Sequence, residues 1–167
     1  YASASYYYVN KSSLPKVYGG FNTSLSWKGF DLSAIFAYSI GGYIYNRDIT
    51  MILHNGSLEG RDWSTEILKR WTPENRYTDV PALSTTSNNW NSASTRFLQN
   101  NSYMRLKNLT LSYDLPKQWI SKLALSSVQV FVQGDNLFTI HRNQGLDPEQ
   151  GITGITYYRY PAMRTIS

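Results

Sequence analysis

From Val17 to Ile40 the chain alternates apolar and small polar residues with a period of two, and the alternation changes side at Lys28-Gly29. Before that point Val17, Gly19, Phe21, Thr23, Leu25 and Trp27 fall on one side, and Tyr18, Gly20, Asn22, Ser24 and Ser26 on the other. After it Phe30, Leu32, Ala34, Phe36, Tyr38 and Ile40 form the apolar set, against Asp31, Ser33, Ala37 and Ser39. A period of two marks a β-strand with two unlike faces. A two-residue loop at Lys28-Gly29 pairs Trp27 with Phe30, Leu25 with Leu32, Phe21 with Phe36 and Val17 with Ile40. All four pairs then share one face, while Ser24 opposes Ser33 on the other. Lys is a poor first residue for a type I′ turn, so a bulged turn stays open. Each strand is about 10 residues, the length that crosses a bilayer at a tilt. Ser, Asn and Gly make up the polar face, with Ile35 the main exception, which suits a watery lumen better than a second packed sheet.

Further along, Leu109, Leu111, Tyr113 and Leu115 alternate with Asn108, Thr110, Ser112 and Asp114. Met104 and Leu106 fall out of this phase, as a bulge or a position above the lipid would explain. Val128, Val130 and Val132 alternate with Ser127, Gln129 and Gln133 in the next strand. Between these two, Pro116 is placed to open one helical turn carrying Trp119, Ile120 and Leu123. The stretches 41–102 and 141–156 are rich in Gly, Ser, Thr and Asn and read as loops. Within the first, Asp62 is placed to cap a short helix with Trp63, Ile67, Leu68 and Trp71 on one side. Strands are therefore expected near 17–27, 30–40, 103–115, 127–138 and 157–167. Short connections at one end and long ones at the other are the layout of an outer-membrane barrel. If the last strand descends to the periplasm, parity puts Lys28-Gly29 and Pro116–Leu125 there and both long loops outside.

Composition agrees. Charged residues are 16% of the chain against roughly 25% in an average soluble domain. Aromatics reach 15%, with 14 Tyr and 5 Trp, as expected of a wall facing lipid with amphipathic rings at its borders. A sugar-binding surface would share that bias. No cysteine is present, which excludes disulfides and thiolate metal sites. The net charge of +5 is spread along the chain, which argues against a nucleic-acid partner. No apolar run approaches the roughly 18 residues of a spanning helix, and no signal-peptide pattern opens the chain.

On this reading Phe21, Leu25, Leu32, Phe36, Leu111 and Val130 face lipid, whereas Asn22, Ser24, Ser33, Gln129 and Gln133 face the lumen. Tyr18, Tyr38 and Tyr113 fit the membrane border. No catalytic constellation appears and no cofactor or metal is implied, so the chain does not read as an enzyme. His54 and His141 lie in no metal-ligand pattern. Asp147 and Glu149 could form an acid pair, but Asp-Pro more simply starts a turn. Asn55-Gly56-Ser57 and Asn108-Leu109-Thr110 match a glycosylation sequon that carries little meaning in a bacterial protein. Trp63, Trp71, Tyr77 and Trp90 of the long loop are the candidates for contact with a ligand or partner, since flat rings stack on sugars and anchor interfaces. The bland alternative is that Trp63 and Trp71 pack a short helix against the barrel rim.

Taken in order, PKVYGGFNTSLSWKGFDLSAIFAYSIGG (15–42), ILKRWTPEN (67–75), TDVPAL (78–83), RFLQNNSYMRLKNLTLSYDLPK (96–117), VQVFVQGDNLFTI (128–140), GLDPE (145–149) and YPAMRTIS (160–167) cover nearly the whole chain. The chain resembles the C-terminal part of the SusC/RagA family of TonB-dependent outer-membrane transporters of Bacteroidetes. That resemblance implies an all-β fold, the C-terminal antiparallel strands of a transmembrane barrel of about 22 strands with long extracellular loops. It also implies a SusD-like surface lipoprotein over the mouth, and import of oligosaccharides or peptides energised by TonB through an N-terminal part with a plug domain that this chain lacks. About five strands are too few to close a barrel alone, and a terminal aromatic that completes the last strand in the family is missing after Ser167. The competing reading is a soluble β-sandwich carbohydrate-binding module. The two make opposite demands: in a barrel the face carrying Leu25, Leu32 and Phe36 is exposed to lipid, and in a sandwich it is the buried core.

Overall fold

The computed structural model describes residues 7–54, 56, 58, 60–84, 86, 92–120, 125–145, 147–149, 154–156 and 160–167. The chain divides into a sheet unit (14–42, 100–149 and 160–167) and a loop unit (1–13, 43–99 and 150–159).

In the sheet unit, β1 (Pro15–Trp27) and β2 (Phe30–Gly41) form the expected hairpin. Trp27 pairs with Phe30, Leu25 with Leu32, Ser24 with Ser33, Phe21 with Phe36 and Val17 with Ile40. The two-residue turn forms without a bulge, because Lys28 (φ 49°) and Gly29 (φ 86°) both adopt positive φ, as a type I′ turn requires. At Gly29 a side chain would also press on the Asp114 carbonyl, 3.2 Å from where its Cβ would stand. Phe21 and Phe36 stack across the pair with ring centroids 4.8 Å apart.

β5 (Tyr103–Asp114) adds to β2, and β6 (Gln129–His141) adds to β5, all antiparallel. Thus sequence neighbours stay neighbours in the sheet. Strands of 12 or 13 residues run about 40 Å and project about 30 Å when tilted by ~40°. The phase break is a bulge: Asn108 pairs with Ile35 and Leu106 with Phe36, so Lys107 is the extra residue. Beyond it Met104 and Leu106 rejoin the apolar face. β6 breaks its register at the same level and holds Asn136 at φ 52°. After β5, Pro116 precedes the short helix α2 (Lys117–Ile120), which buries Ile120 and leaves Trp119 exposed. Leu123 lies outside the described residues.

Two strand limits differ from expectation. The fourth long strand runs 129–141 rather than 127–138; Val128 lies outside it, its carbonyl accepting the Leu115 N–H in the connection. The last strand, expected over 157–167, is β7, Thr165–Ile166 alone. Residues 157–159 lie outside the described set, and from Tyr160 to Arg164 no ladder forms, Pro161 lacking the N–H a rung needs.

The apolar face is open. Leu25 (67%), Val130 (57%) and Ile140 (64%) keep more than half of their surface exposed. A sandwich would bury this face under a second sheet, and none covers these residues among those described.

The loop unit has a small core of its own, formed by Ile44, Leu53, Ile67, Val80 and Phe97. β3 (Tyr43–Tyr45) pairs with β4 (Leu98–Asn100). The helix α1 (Arg47–Ile52) is capped by Asn46, whose side chain accepts the Ile49 N–H at 3.1 Å and the Thr156 hydroxyl at 3.3 Å. The expected helix after Asp62 is a 3-10 helix over Thr65–Lys69, capped by Ser64 accepting from the Glu66 N–H. Only Ile67 of its apolar residues is buried; Leu68 points outward. No helix among the described residues is long and apolar enough to cross a membrane.

Candidate functional site on the polar face

The polar face of the sheet unit carries Asn22, Ser24 and Ser26 from β1, Asp31 and Ser33 from β2, and Asn108, Thr110 and Ser112 from β5. β6 adds Gln129, Gln133, Asp135, Thr139 and His141. These side chains bond to one another. Asp135 accepts from Asn108 at 2.7 Å and from Thr165 at 3.0 Å, and Ser26 donates to Asp31. The register also puts Phe21, Leu25, Leu32, Phe36, Leu111 and Val130 together on the opposite face.

Past the bulge the polar face presents Arg105, the most deeply buried charge of the sheet unit, at 3% exposure. A guanidinium taken out of water needs compensating charge and every donor engaged. Asp147 and Glu149 of the following loop supply the charge, and Thr139 of β6 a further acceptor, so that each of the three nitrogens donates. Nη2 of Arg105 donates to Asp147 at 2.5 Å, Nη1 to Glu149 at 2.5 Å, and Nε to the Thr139 hydroxyl at 2.8 Å. Lys107, pushed out by the bulge, donates to the same Glu149 oxygen at 2.7 Å. Two cations and two carboxylates balance. Asp147 also accepts the N–H of Glu149 at 3.0 Å and of Ala162 at 2.8 Å. Burial alone would raise its carboxyl pKa. The Arg105 hydrogen bond, the two backbone N–H groups and the Arg105 charge outweigh that and hold it below the usual carboxylate range.

Beside the cluster lies a cleft of about 360 Å³, with Arg105, Asn136, Thr139, His141, Asp147 and Arg164 among its lining residues. Asn101 braces the site, donating to the Pro148 carbonyl at 2.9 Å and accepting from Asn143 at 3.0 Å. Asp147 and Glu149 therefore serve as ion-pair partners rather than as an acid pair. Reading Asp-Pro as a turn missed their role. The available signal was Arg105 itself: once Lys107 is taken as a bulge, an arginine stands on a face of small polar residues and calls for carboxylates.

No group of three or more metal-ligating side chains gathers among the described residues. His54 is buried in the loop unit, where its Nδ1 accepts from Trp63 Nε1 at 3.0 Å and from the Gly56 N–H at 3.3 Å. His141 Nδ1 meets the Asn143 carbonyl at 2.9 Å. Of the loop aromatics, Trp63 is half-exposed and tied to His54, Trp71 is half-exposed and Tyr77 is fully exposed. Trp90 lies outside the described residues.

No family model matches the chain. Two curated relatives come from Formosa agariphila. TonB-dependent receptor P3 is 33% identical over 159 residues, covering 89% of this chain and 15% of the relative. TonB-dependent receptor P26 is 29% identical over 138 residues, covering 83% of this chain and 14% of the relative. Solved structures of the RagAB peptide importer, in closed-closed and open-open states, match with a TM-score of 0.78 and 34% identity over 93% of this chain and 17% of theirs. The chain thus spans less than one fifth of the length of the proteins it matches. These relatives are receptors and an importer, not enzymes.

Proposed function

Because this chain belongs to the SusC/RagA type of TonB-dependent receptors, we propose that it supplies wall and outer loops to an outer-membrane barrel that imports oligosaccharides or peptides. One observation carries the reading: a single antiparallel meander exposes an apolar face, while its other face is polar and internally hydrogen-bonded. In lipid that face needs no cover, and water fills the other side. Phe21, Leu25, Leu32, Phe36, Leu111 and Val130 contact lipid; Asn22, Ser24, Ser33, Gln129 and Gln133 line the lumen. The whole barrel has about 22 strands and crosses the bacterial outer membrane many times, with 41–102 and 141–156 outside. A SusD-like surface lipoprotein covers its mouth, and TonB energises it through the N-terminal part of the protein. Trp63, Trp71, Tyr77 and Trp90 are offered to that lipoprotein or to the substrate. Peptide import by the RagAB structures supports the peptide arm of the substrate class.

Nitroxide labels on the full-length transporter in bilayers test this reading. Labels at Leu32 and Phe36 should meet lipid-dissolved oxygen preferentially, and labels at Ser24 and Ser33 a water-soluble nickel chelate. Exclusion of oxygen from Leu32 and Phe36 would sink it.

A further inference from the structure

Residues 142–145 and 147–149 follow β6 along the polar face and add no rung to the sheet. Polar links hold this strap: the Arg105 and Lys107 ion pairs, the two bonds of Asn101, and the contact of His141 with the Asn143 carbonyl. Beside it lies the cleft of about 360 Å³, lined by Gly145, Asp147 and Pro148 of the strap and by Pro161, Ala162 and Arg164. Gly145 turns it at φ +89°, with nothing within 4 Å of the position a Cβ would occupy. A segment outside the ladders opens ahead of a sheet held by continuous ones.

We propose that the Arg105 cluster is a two-position latch. Closed, it holds the strap and the Pro161–Arg164 segment over the polar face. Open, it lets both lift together and exposes the cleft. Asp147 is the bolt, because its one carboxylate joins three parts of the chain: Arg105 of β5, the Glu149 N–H of the strap, and the Ala162 N–H on the approach to β7. Glu149 is secondary, bonding Arg105, Lys107 and the Tyr103 hydroxyl but not the Ala162 segment. The latch acts on import only if the polar face is the lumen, as proposed above; its existence is measurable without transport.

Amide hydrogen exchange on the full-length transporter reads it directly. Peptides spanning 142–149 and 160–164 report the latch, and 15–41 serves as the internal reference. Asp147→Asn should speed exchange about tenfold or more in both reporting segments and leave the reference unchanged. Glu149→Gln should give a smaller rise confined to 142–149. Arg105→Gln should match Asp147→Asn wherever it assembles. Wild-type exchange at both segments in every variant that assembles overturns the proposal. So does a rise that includes 15–41, which would mean loss of the wall rather than release of a strap. Neither result alters the nitroxide outcome, so failure of the latch and failure of the barrel reading remain distinct.

Discussion

The β1–β2 hairpin and the strap at 142–149 belong to one sheet unit, yet different physics holds them. In the hairpin the long-range contacts repeat: rung follows rung, and Val17, Phe21, Leu25 and Trp27 each stand beside an apolar residue of the neighbouring strand. Removing one contact leaves many. In the strap the contacts converge on Arg105 and Asp147, both almost free of solvent. A distributed structure resists local insult and depends on its surroundings through its whole face. A convergent one is indifferent to the solvent on that face and fails at a single atom.

The largest expected effect sets the two faces of the hairpin against each other. Leu32→Arg in the full-length transporter should cost about 2–4 kcal/mol of stability in bilayers, because the charge enters the hydrocarbon. Ser24→Arg, on the polar face, should stay within about 0.5 kcal/mol. Unfolding titrations in lipid vesicles measure both, and equal costs would erase the difference between the faces. A smaller effect isolates the turn. Gly29→Ala must hold an alanine at φ 86° and should cost about 1–2 kcal/mol, read in the same titration with the strap's exchange unaltered. The smallest effect belongs to acid. Because folding lowers the Asp147 pKa, its contribution is fully present above the unfolded value of about 3.9 and is lost as pH falls through the lower folded value. The groups facing it and its partner Glu149 are Arg105, Lys107 and the Tyr103 hydroxyl, with His141 and Arg164 across the cleft. Strap exchange should therefore rise below about pH 4 before exchange in 15–41 does. Simultaneous loss would merge the two regions into one cooperative unit.

The same contrast explains what could be read from residue order. Period two needs only neighbours, so the hairpin, its pairing of Phe21 with Phe36, and the bulge hinted at by Met104 and Leu106 were all legible. Even the turn followed, although Lys28 had to accept a positive φ. The Arg105 site was not legible, because its partners lie 42 and 44 residues away and meet only after β5 and β6 align. A local reading of Gly145-Leu146-Asp147-Pro148-Glu149 finds a turn and stops. Helix caps failed on a finer scale: Asp62 and Ser64 are both good caps, and the backbone chose Ser64. Of the strand expected over 157–167, the described residues form a ladder only at Thr165–Ile166, because Pro161 lacks the N–H a rung needs and parity of strands cannot show where pairing starts.

The bulge at Lys107 gives β5 two reading frames. From Asn108 to Asp114 the even residues point to the polar side; from Tyr103 to Leu106 the odd ones do. Lys107 is the punctuation between them. Deleting that one residue would remove the bulge and leave Met104 and Leu106 on the apolar face and Arg105 on the polar one, whereas drawing Lys107 into the ladder would exchange the two sides from 103 to 106. The message of this strand therefore resides as much in its spacing as in its letters.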